Sequence, residues 1–433
     1  MTTYWNEKVE TASREELEEA QWGLLQETIR WLYEHVPFYT ERFHQCGIKP
    51  DDIKSLEDIP QLPFTTKSDL RYHYPLHLCA VPTEEIALIQ ATAGTTGKPV
   101  VVPYTSHDLD RWSECMARAL WSAGIRSSDI CQNAYGYGLF SGGMGYHYGS
   151  QRIGCAIIPT STGRTERQIL FLRDLGTTAL FCTPSYALTI AERAETLGVD
   201  LKRLPLRVGS FGAEPWTQKM KKEIEERMGI KAYEVYGLTE MMGPGVAFSC
   251  EACRLHINED YFYPEVIDPV TERVLPEWER GELVITALQR QAMPLLRYRT
   301  GDITALGRIR CECGRTLTVM ERVLGRTDDM LIISGVNVFP SQIEDILLEF
   351  EETGPHYQIK VFKKGYLDSI AVEVEAKAEI YSLGKEKIAE VENRISARLN
   401  QVIGIKAQVT LLEPGSIPRS EGKAKRVIDE RKR

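Results

Sequence analysis

Between residue 85 and about residue 235, short apolar runs alternate with stretches of helical periodicity. Residues 85–90, 155–158, 179–181 and 206–211 read as buried strands. Residues 107–124, 165–175, 185–197 and 216–228 read as helices between them. Strands separated by helix-length connections favour crossovers over hairpins, so the alternation predicts an α/β domain with largely parallel sheets. Ahead of it, the first 50 residues read as helical, and Pro60, Pro63 and Pro75 then break the chain into short pieces. From 255 to 325 the pattern turns strand-rich, with turns at Asp268-Pro269 and Arg280-Gly281. A last segment starts near Asp328 and holds a strand at 330–333, helices at 341–350 and 385–399, and two strand-like runs between them. It reads as a small α+β domain. A chain of 433 residues exceeds one compact core, and the expected division is 1–327 and 328–433.

Composition narrows the function. At 43% hydrophobic and 26% charged residues, the chain is not a disordered one. A net charge of −9 opposes non-specific nucleic-acid binding, because the polyanion is repelled. No window approaches the roughly 18 apolar residues of a membrane span. The start, Met1-Thr2-Thr3-Tyr4-Trp5-Asn6-Glu7, lacks the basic and apolar regions of a signal peptide. A cytoplasmic protein is expected, with neither nucleic acid nor membrane as partner. Six of the ten cysteines are scattered and read as small buried apolar residues. The other four are paired.

Residues 91–99 read Ala91-Thr92-Ala93-Gly94-Thr95-Thr96-Gly97-Lys98-Pro99, directly after the strand ending at Gln90. Glycines let a backbone turn tightly enough for several N–H groups to face one anion. Threonine hydroxyls add donors and the lysine adds charge. Gly94 and Gly97 stand too close together for a Walker loop.

Five further motifs follow in order: Gly212-Ala213-Glu214-Pro215, Tyr236-Gly237-Leu238-Thr239-Glu240, Tyr298-Arg299-Thr300-Gly301-Asp302, Gly325-Arg326-Thr327-Asp328-Asp329 and Pro418-Arg419-Ser420-Glu421-Gly422-Lys423. With the loop, this set resembles the acyl-adenylate-forming superfamily over nearly the whole chain. Ala93 departs from it, standing where a second serine is common. Tyr135-Gly136-Tyr137-Gly138-Leu139-Phe140-Ser141-Gly142-Gly143, Met242 to Ala247, Glu259 to Glu265 and Ile333 to Pro340 are similar to the short phenylacetate–coenzyme A ligases.

The resemblance implies a large adenylation domain and a small, mobile C-terminal domain. It implies ATP, Mg²⁺ and coenzyme A as reactants and cofactors, with an aromatic carboxylic acid as substrate. Thr92, Gly94, Thr95, Thr96, Gly97 and Lys98 would hold the departing phosphates. Glu240 would coordinate Mg²⁺ and Thr239 would touch the α-phosphate. Asp302 would accept from the ribose, with Arg326 nearby. Gly212, Ala213, Glu214 and Pro215 would wall the adenine, with Tyr236 and Gly237 at its ring. Lys423 would bridge carboxylate and phosphate during adenylation, Asp328 would be the hinge, and Gly335 would let the pantetheine arm pass. Tyr135, Tyr137, Phe140 and Gly142 are candidates for an aryl pocket, since glycine-dense walls leave room for a flat ring. His147 follows closely and is given no catalytic role.

Cys250-Glu251-Ala252-Cys253 and Cys311-Glu312-Cys313-Gly314, with His256 close to the first pair, have the soft donors of a structural zinc site. Five candidates compete for four positions, and Cys311 and Cys313 belong to both possible sets. The resemblance favours Cys250 and His256 as the others; a four-cysteine site using Cys253 is the alternative. Alternative chemistries within the superfamily are adenylyl transfer to a deazaflavin coenzyme and loading of acids onto a carrier protein. The oligomeric state is open, a homodimer included.

Overall fold

The computed structural model describes residues 3–92, 98–327, 331–333, 336–364, 367–419 and 426–432. Its centre is a nine-stranded mixed sheet. In spatial order the strands are Leu306–Gly307, Val319–Met320, Leu255–Ile257, Gly243–Ser249, Lys231–Leu238, Val208–Gly212, Ala179–Cys182, Ile130–Asn133 and Ala156–Ile158. The five strands between residues 130 and 238 pair in parallel. They are connected through the helices Ser141–Ile153, Thr165–Asp174, Pro184–Thr196 and Gln218–Met228, which supply the crossovers that parallel neighbours need. Beyond Leu238 the link to the next strand is the short turn Thr239–Met241, so pairing reverses to antiparallel. The largely parallel sheet expected from sequence is therefore the parallel half of a mixed one.

The run at 85–90 also differs from expectation. The strand formed is Leu88–Ala91, and it pairs antiparallel with Val101–Tyr104 in a separate two-stranded sheet. Residues 92–100 are too few for a crossover, which leaves a hairpin as the available connection. The strand-rich region forms a four-stranded antiparallel sheet of Phe262–Ile267, Gly281–Ala287, Tyr298–Thr304 and Gly325–Arg326.

A second apolar core belongs to the C-terminal domain alone. Val391, Ile395 and Leu399 form an i, i+4, i+8 stripe on the helix Lys385–Ile403. With Ile343, Ile346 and Leu347 they help cover the sheet Ala407–Leu412, Leu367–Ala376, Thr353–Lys364, Val427–Asp429. Between the domains, the helix Pro184–Thr196 matters most. Thr183 caps it by accepting from the Tyr186 N–H at 3.3 Å, and a proline at its first position needs no donor there. Among the described residues, no helix is long and apolar enough to cross a membrane.

Candidate active site

Two neighbouring parallel strands bring two of the sequence motifs together. Gly212 lies opposite Val235, and a Cβ at residue 212 would stand 2.2 Å from the Val235 carbonyl oxygen. Only glycine permits that approach. Ala213 follows in the left-handed region at φ +70. Glu214 turns back to accept from the Ser185 N–H at 2.7 Å. One residue past Val235, the Tyr236 hydroxyl donates to Asp302 Oδ2 at 2.6 Å. Asp302 and Arg326 face each other across antiparallel strands, and Arg326 Nη1 donates to Asp302 Oδ1 at 2.9 Å. Burial, and then the Asp302 charge, push the Tyr236 phenol well above its ordinary value. The carboxylate is thus fixed between a neutral phenol and a guanidinium, which orients its oxygens.

Thr239 and Glu240 occupy the turn that ends the strand Lys231–Leu238. Thr239 Oγ1 is 3.0 Å from Ser141 Oγ. The Glu240 carboxylate is buried, with Oε1 accepting from the Tyr298 hydroxyl at 3.3 Å and lying 3.6 Å from Lys67 Nζ. Arg290 donates to the Glu240 backbone carbonyl at 2.5 Å. The buried carboxylate is thus compensated by an ammonium and a phenol that share one of its oxygens. Lys67 and Arg290 escaped sequence reasoning. Lys67 opens the short helix Lys67–Tyr72, capped by Thr66, and nothing in that local pattern points to a residue 173 positions away.

The glycine- and threonine-rich loop is described at its ends. Thr92 Oγ1 accepts from the Val100 N–H at 3.0 Å, closing the hairpin, and Lys98 is exposed with its ammonium 5.1 Å from the Tyr74 ring centre. Gly94, Thr95, Thr96 and Gly97 lie outside the described residues, as do Asp328, Gly335 and Lys423.

Behind the Gly212 strand the rings of Tyr135, Tyr146 and Phe181 stack in series, with centroids 4.9 and 4.8 Å apart. The Tyr135 hydroxyl donates to the Gly212 carbonyl at 3.3 Å, tying this stack to the Gly212–Pro215 motif. A Cβ on Gly142 would touch the Tyr135 ring at 3.4 Å. The Tyr137 hydroxyl receives the Asn133 amide at 2.8 Å and lies 3.1 Å from His147 Nδ1. Burial pushes Tyr137 up to about 12 and holds His147 below its ordinary value. Phe140 is 51% exposed at the start of the helix Ser141–Ile153, outside the ring stack.

Away from this centre, Cys250, His256, Cys311 and Cys313 converge. All four are buried, and their donor atoms lie within 4.8 Å of one another. Cys250 Sγ is 3.7 Å from Cys311 Sγ, and Cys313 Sγ is 3.5 Å from His256 Nε2. A tetrahedral zinc with bonds of about 2.3 Å has sulfur–sulfur edges of about 3.8 Å. His256 Nδ1 stands 3.2 Å from the Leu317 carbonyl, so a proton there leaves Nε2 free for a metal. Hydrogen bonds from Cys250, and then from His256, draw the Cys313 thiol well down. Cys253 stands apart: it is exposed, with its sulfur 3.1 Å from Lys221 Nζ. The N-terminal segment packs on this cluster. Tyr4 donates to the Cys313 carbonyl at 2.9 Å, and the fully buried Glu10 receives Arg315 at 2.7 Å.

Known proteins share this organisation. Residues 28–290 match the AMP-binding enzyme family, and residues 335–431 match the AMP-binding enzyme C-terminal domain. The phenylacetate-coenzyme A ligase of Escherichia coli is 47% identical over 424 residues, covering 97% of this chain and 96% of the relative. That of Thermus thermophilus is 46% identical over 440 residues, covering 98% and 99%. Among solved structures, 2-hydroxyisobutyryl-CoA ligase in its postadenylation state, with R3-HIB-AMP, superimposes with a TM-score of 0.94 at 30% identity, covering 100% of this chain and 93% of that one. The same enzyme in its thioesterification state, with 2-HIB-AMP and CoA, gives 0.74 at 31% identity over the same shares. With identity this high over nearly its full length, the chain belongs to the AMP-binding enzymes and, within them, to the phenylacetate–coenzyme A ligase family.

Proposed function

We propose that this protein activates phenylacetate, or a close aryl relative, with ATP and passes the acyl group to coenzyme A. The observation that carries the reading is the convergence of Gly212, Tyr236, Asp302, Arg326, Thr239 and Glu240, from four separate sequence motifs, around one end of the central sheet. In the first half-reaction a carboxylate oxygen attacks the α-phosphorus and pyrophosphate leaves. In the second, the coenzyme A thiol displaces AMP and forms the thioester.

The chain's own residues divide the work. Asp302, held by Tyr236 and Arg326, accepts from the ribose hydroxyls. Gly212 to Pro215 supply the wall beside adenine, and the glycine keeps that wall close to the strand. Thr92, Thr95, Thr96 and Lys98 hold the leaving phosphates, while Thr239 positions the α-phosphate. Glu240 would hold a magnesium ion, which when bound lowers the charge cost of the departing pyrophosphate. Lys423 stabilises the charge that develops between carboxylate and phosphate. Tyr135, Tyr137 and Gly142 border the aryl ring.

The domain boundary lies at residues 327/328, with Asp328 as pivot and Gly335 beside the pantetheine path. The domain arrangement resembles the postadenylation state of 2-hydroxyisobutyryl-CoA ligase more than its thioesterification state, which supports reading it as the adenylating arrangement. Cys250, His256, Cys311 and Cys313 hold one structural zinc per chain; a closed four-ligand set leaves no position for substrate water. A reaction that draws on ATP and coenzyme A suits the cytoplasm. The decisive experiment measures pyrophosphate release against a panel of aryl acids, with and without coenzyme A. Acyl-AMP and pyrophosphate should form without the thiol, and thioester plus AMP with it. Release of ADP and phosphate would contradict the mechanism.

A further inference from the structure

The helix Pro184–Thr196 of the large domain offers one carboxylate to two residues of the small domain. Glu192 Oε1 lies 2.8 Å from His356 Nε2, and Glu192 Oε2 accepts from Arg419 Nε at 3.1 Å. At the start of the same helix, Ser185 Oγ is 3.4 Å from Arg426 Nη2. Arg419 and Arg426 belong to the small domain. Arg419 also stands four residues before Lys423 in the chain.

Glu192 and Arg419 each retain a counter-ion on their own side. Arg419 is bidentate to Glu375 of the small domain, at 2.7 and 2.9 Å. Glu192 has Arg227 of the large domain 3.9 Å away, and Arg227 is itself shared with Glu195 and Glu223. Separating the domains would therefore leave neither Glu192 nor Arg419 as a bare charge. That removes the main penalty for breaking an ion pair. A contact with this property suits an arrangement that must form and dissolve in each turnover.

We infer that Glu192 is a positioning residue for adenylation, holding the small domain in the adenylating arrangement through His356 and Arg419. The inference rests on the two-step reading above and on Lys423 as the adenylating lysine. Glu192 touches no substrate in this scheme. It acts on the fraction of molecules in which the small domain is docked for the first step.

The test separates the two half-reactions in Glu192→Ala, Glu192→Gln and Lys423→Ala. The first is read as pyrophosphate released in one turnover from phenylacetate and ATP. The second is read as thioester formed from preformed phenylacetyl-AMP and coenzyme A. Glu192→Ala should slow the first roughly tenfold, as expected for losing a charge-assisted contact, and leave the second unchanged or faster. Glu192→Gln should recover part of the loss, because its amide oxygen still accepts from Arg419. Normal pyrophosphate release in Glu192→Ala, where Lys423→Ala abolishes it, would overturn the inference alone. Equal slowing of both half-reactions would overturn it too, as the mark of a merely structural residue. Normal release in both variants would remove the lysine assignment and the inference together.

Discussion

Arg297 and Arg419 each grip a glutamate of their own domain with two nitrogens, but only Arg419 also reaches a carboxylate across the domain junction. Arg297 and Glu265 are sealed inside the large domain at 2% and 4% side-chain exposure. Its remaining Nη1 donors reach the Pro60 and Leu62 carbonyls, each at 2.9 Å. Arg419 and Glu192, at the junction, are each 27% exposed and have second partners. Among the described residues the Arg297–Glu265 pair thus has no second counter-ion, while the junction uses pairs that can be exchanged. A sealed pair and an exchangeable one thus arise from the same residue types under different burial.

The comparison breaks first at Arg297. Arg297→Ala strands a buried carboxylate and should lower unfolding stability by about 3–5 kcal/mol. Glu192→Ala should change it by under about 1 kcal/mol. Urea unfolding of the two proteins side by side checks this, and equal losses would dissolve the distinction. In catalysis, Lys423→Ala should raise the adenylation barrier by roughly 3–4 kcal/mol and spare thioester formation from preformed acyl-AMP. Gly335→Leu should do the reverse. Quenched single-turnover assays read both, and parallel damage by both changes would argue against a small domain that serves the two steps in turn. The thiol cluster should behave as part of the immobile body. Purified protein should carry about one zinc per chain by elemental analysis, and Cys311→Ser should cost about 2–3 kcal/mol of stability with little effect on turnover by the folded fraction. The smallest expected effect lies at the junction. Burial, against the nearby Arg426, raises the Glu344 carboxyl from 4.5 to about 7. A raised acid disfavours the folded state progressively as pH climbs from about 4.5 to 7, and by a constant amount above that. Glu344→Gln should therefore raise Tm at pH 8, by the equivalent of about 1 kcal/mol once the loss of the Arg426 partner is counted. The gain should vanish as pH falls towards 4.5, and a gain that persists there would point to packing instead of charge.

The motifs were legible in the sequence because each marks short-range backbone geometry: a glycine where a strand approaches its neighbour, a turn after a strand, a carboxylate in a register pair. It found the thiol cluster from paired spacing, and geometry then separates His256 from Cys253. Sheet direction was legible only where connections were long. The hairpin at Leu88–Ala91 carries the same apolar signal as a core strand, and only the length of its connection tells them apart. Lys67, Arg290 and Glu192 were invisible. Each sits in an ordinary helix or loop pattern and gains its meaning from a partner far along the chain.

The packing of Tyr4 and Glu10 on the loop at Cys313 and Arg315 sets an order of events during synthesis. Glu10 leaves the ribosome 305 residues before the arginine that neutralises it. At about 5–20 residues per second, that wait is on the order of 15–60 s. Through that interval the N-terminal segment lacks its final seat, and Cys250 and His256 have emerged without Cys311 and Cys313. Assembly of the cysteine–histidine cluster and docking of the N-terminus therefore fall late, close together, and only after the central sheet has strands to receive them.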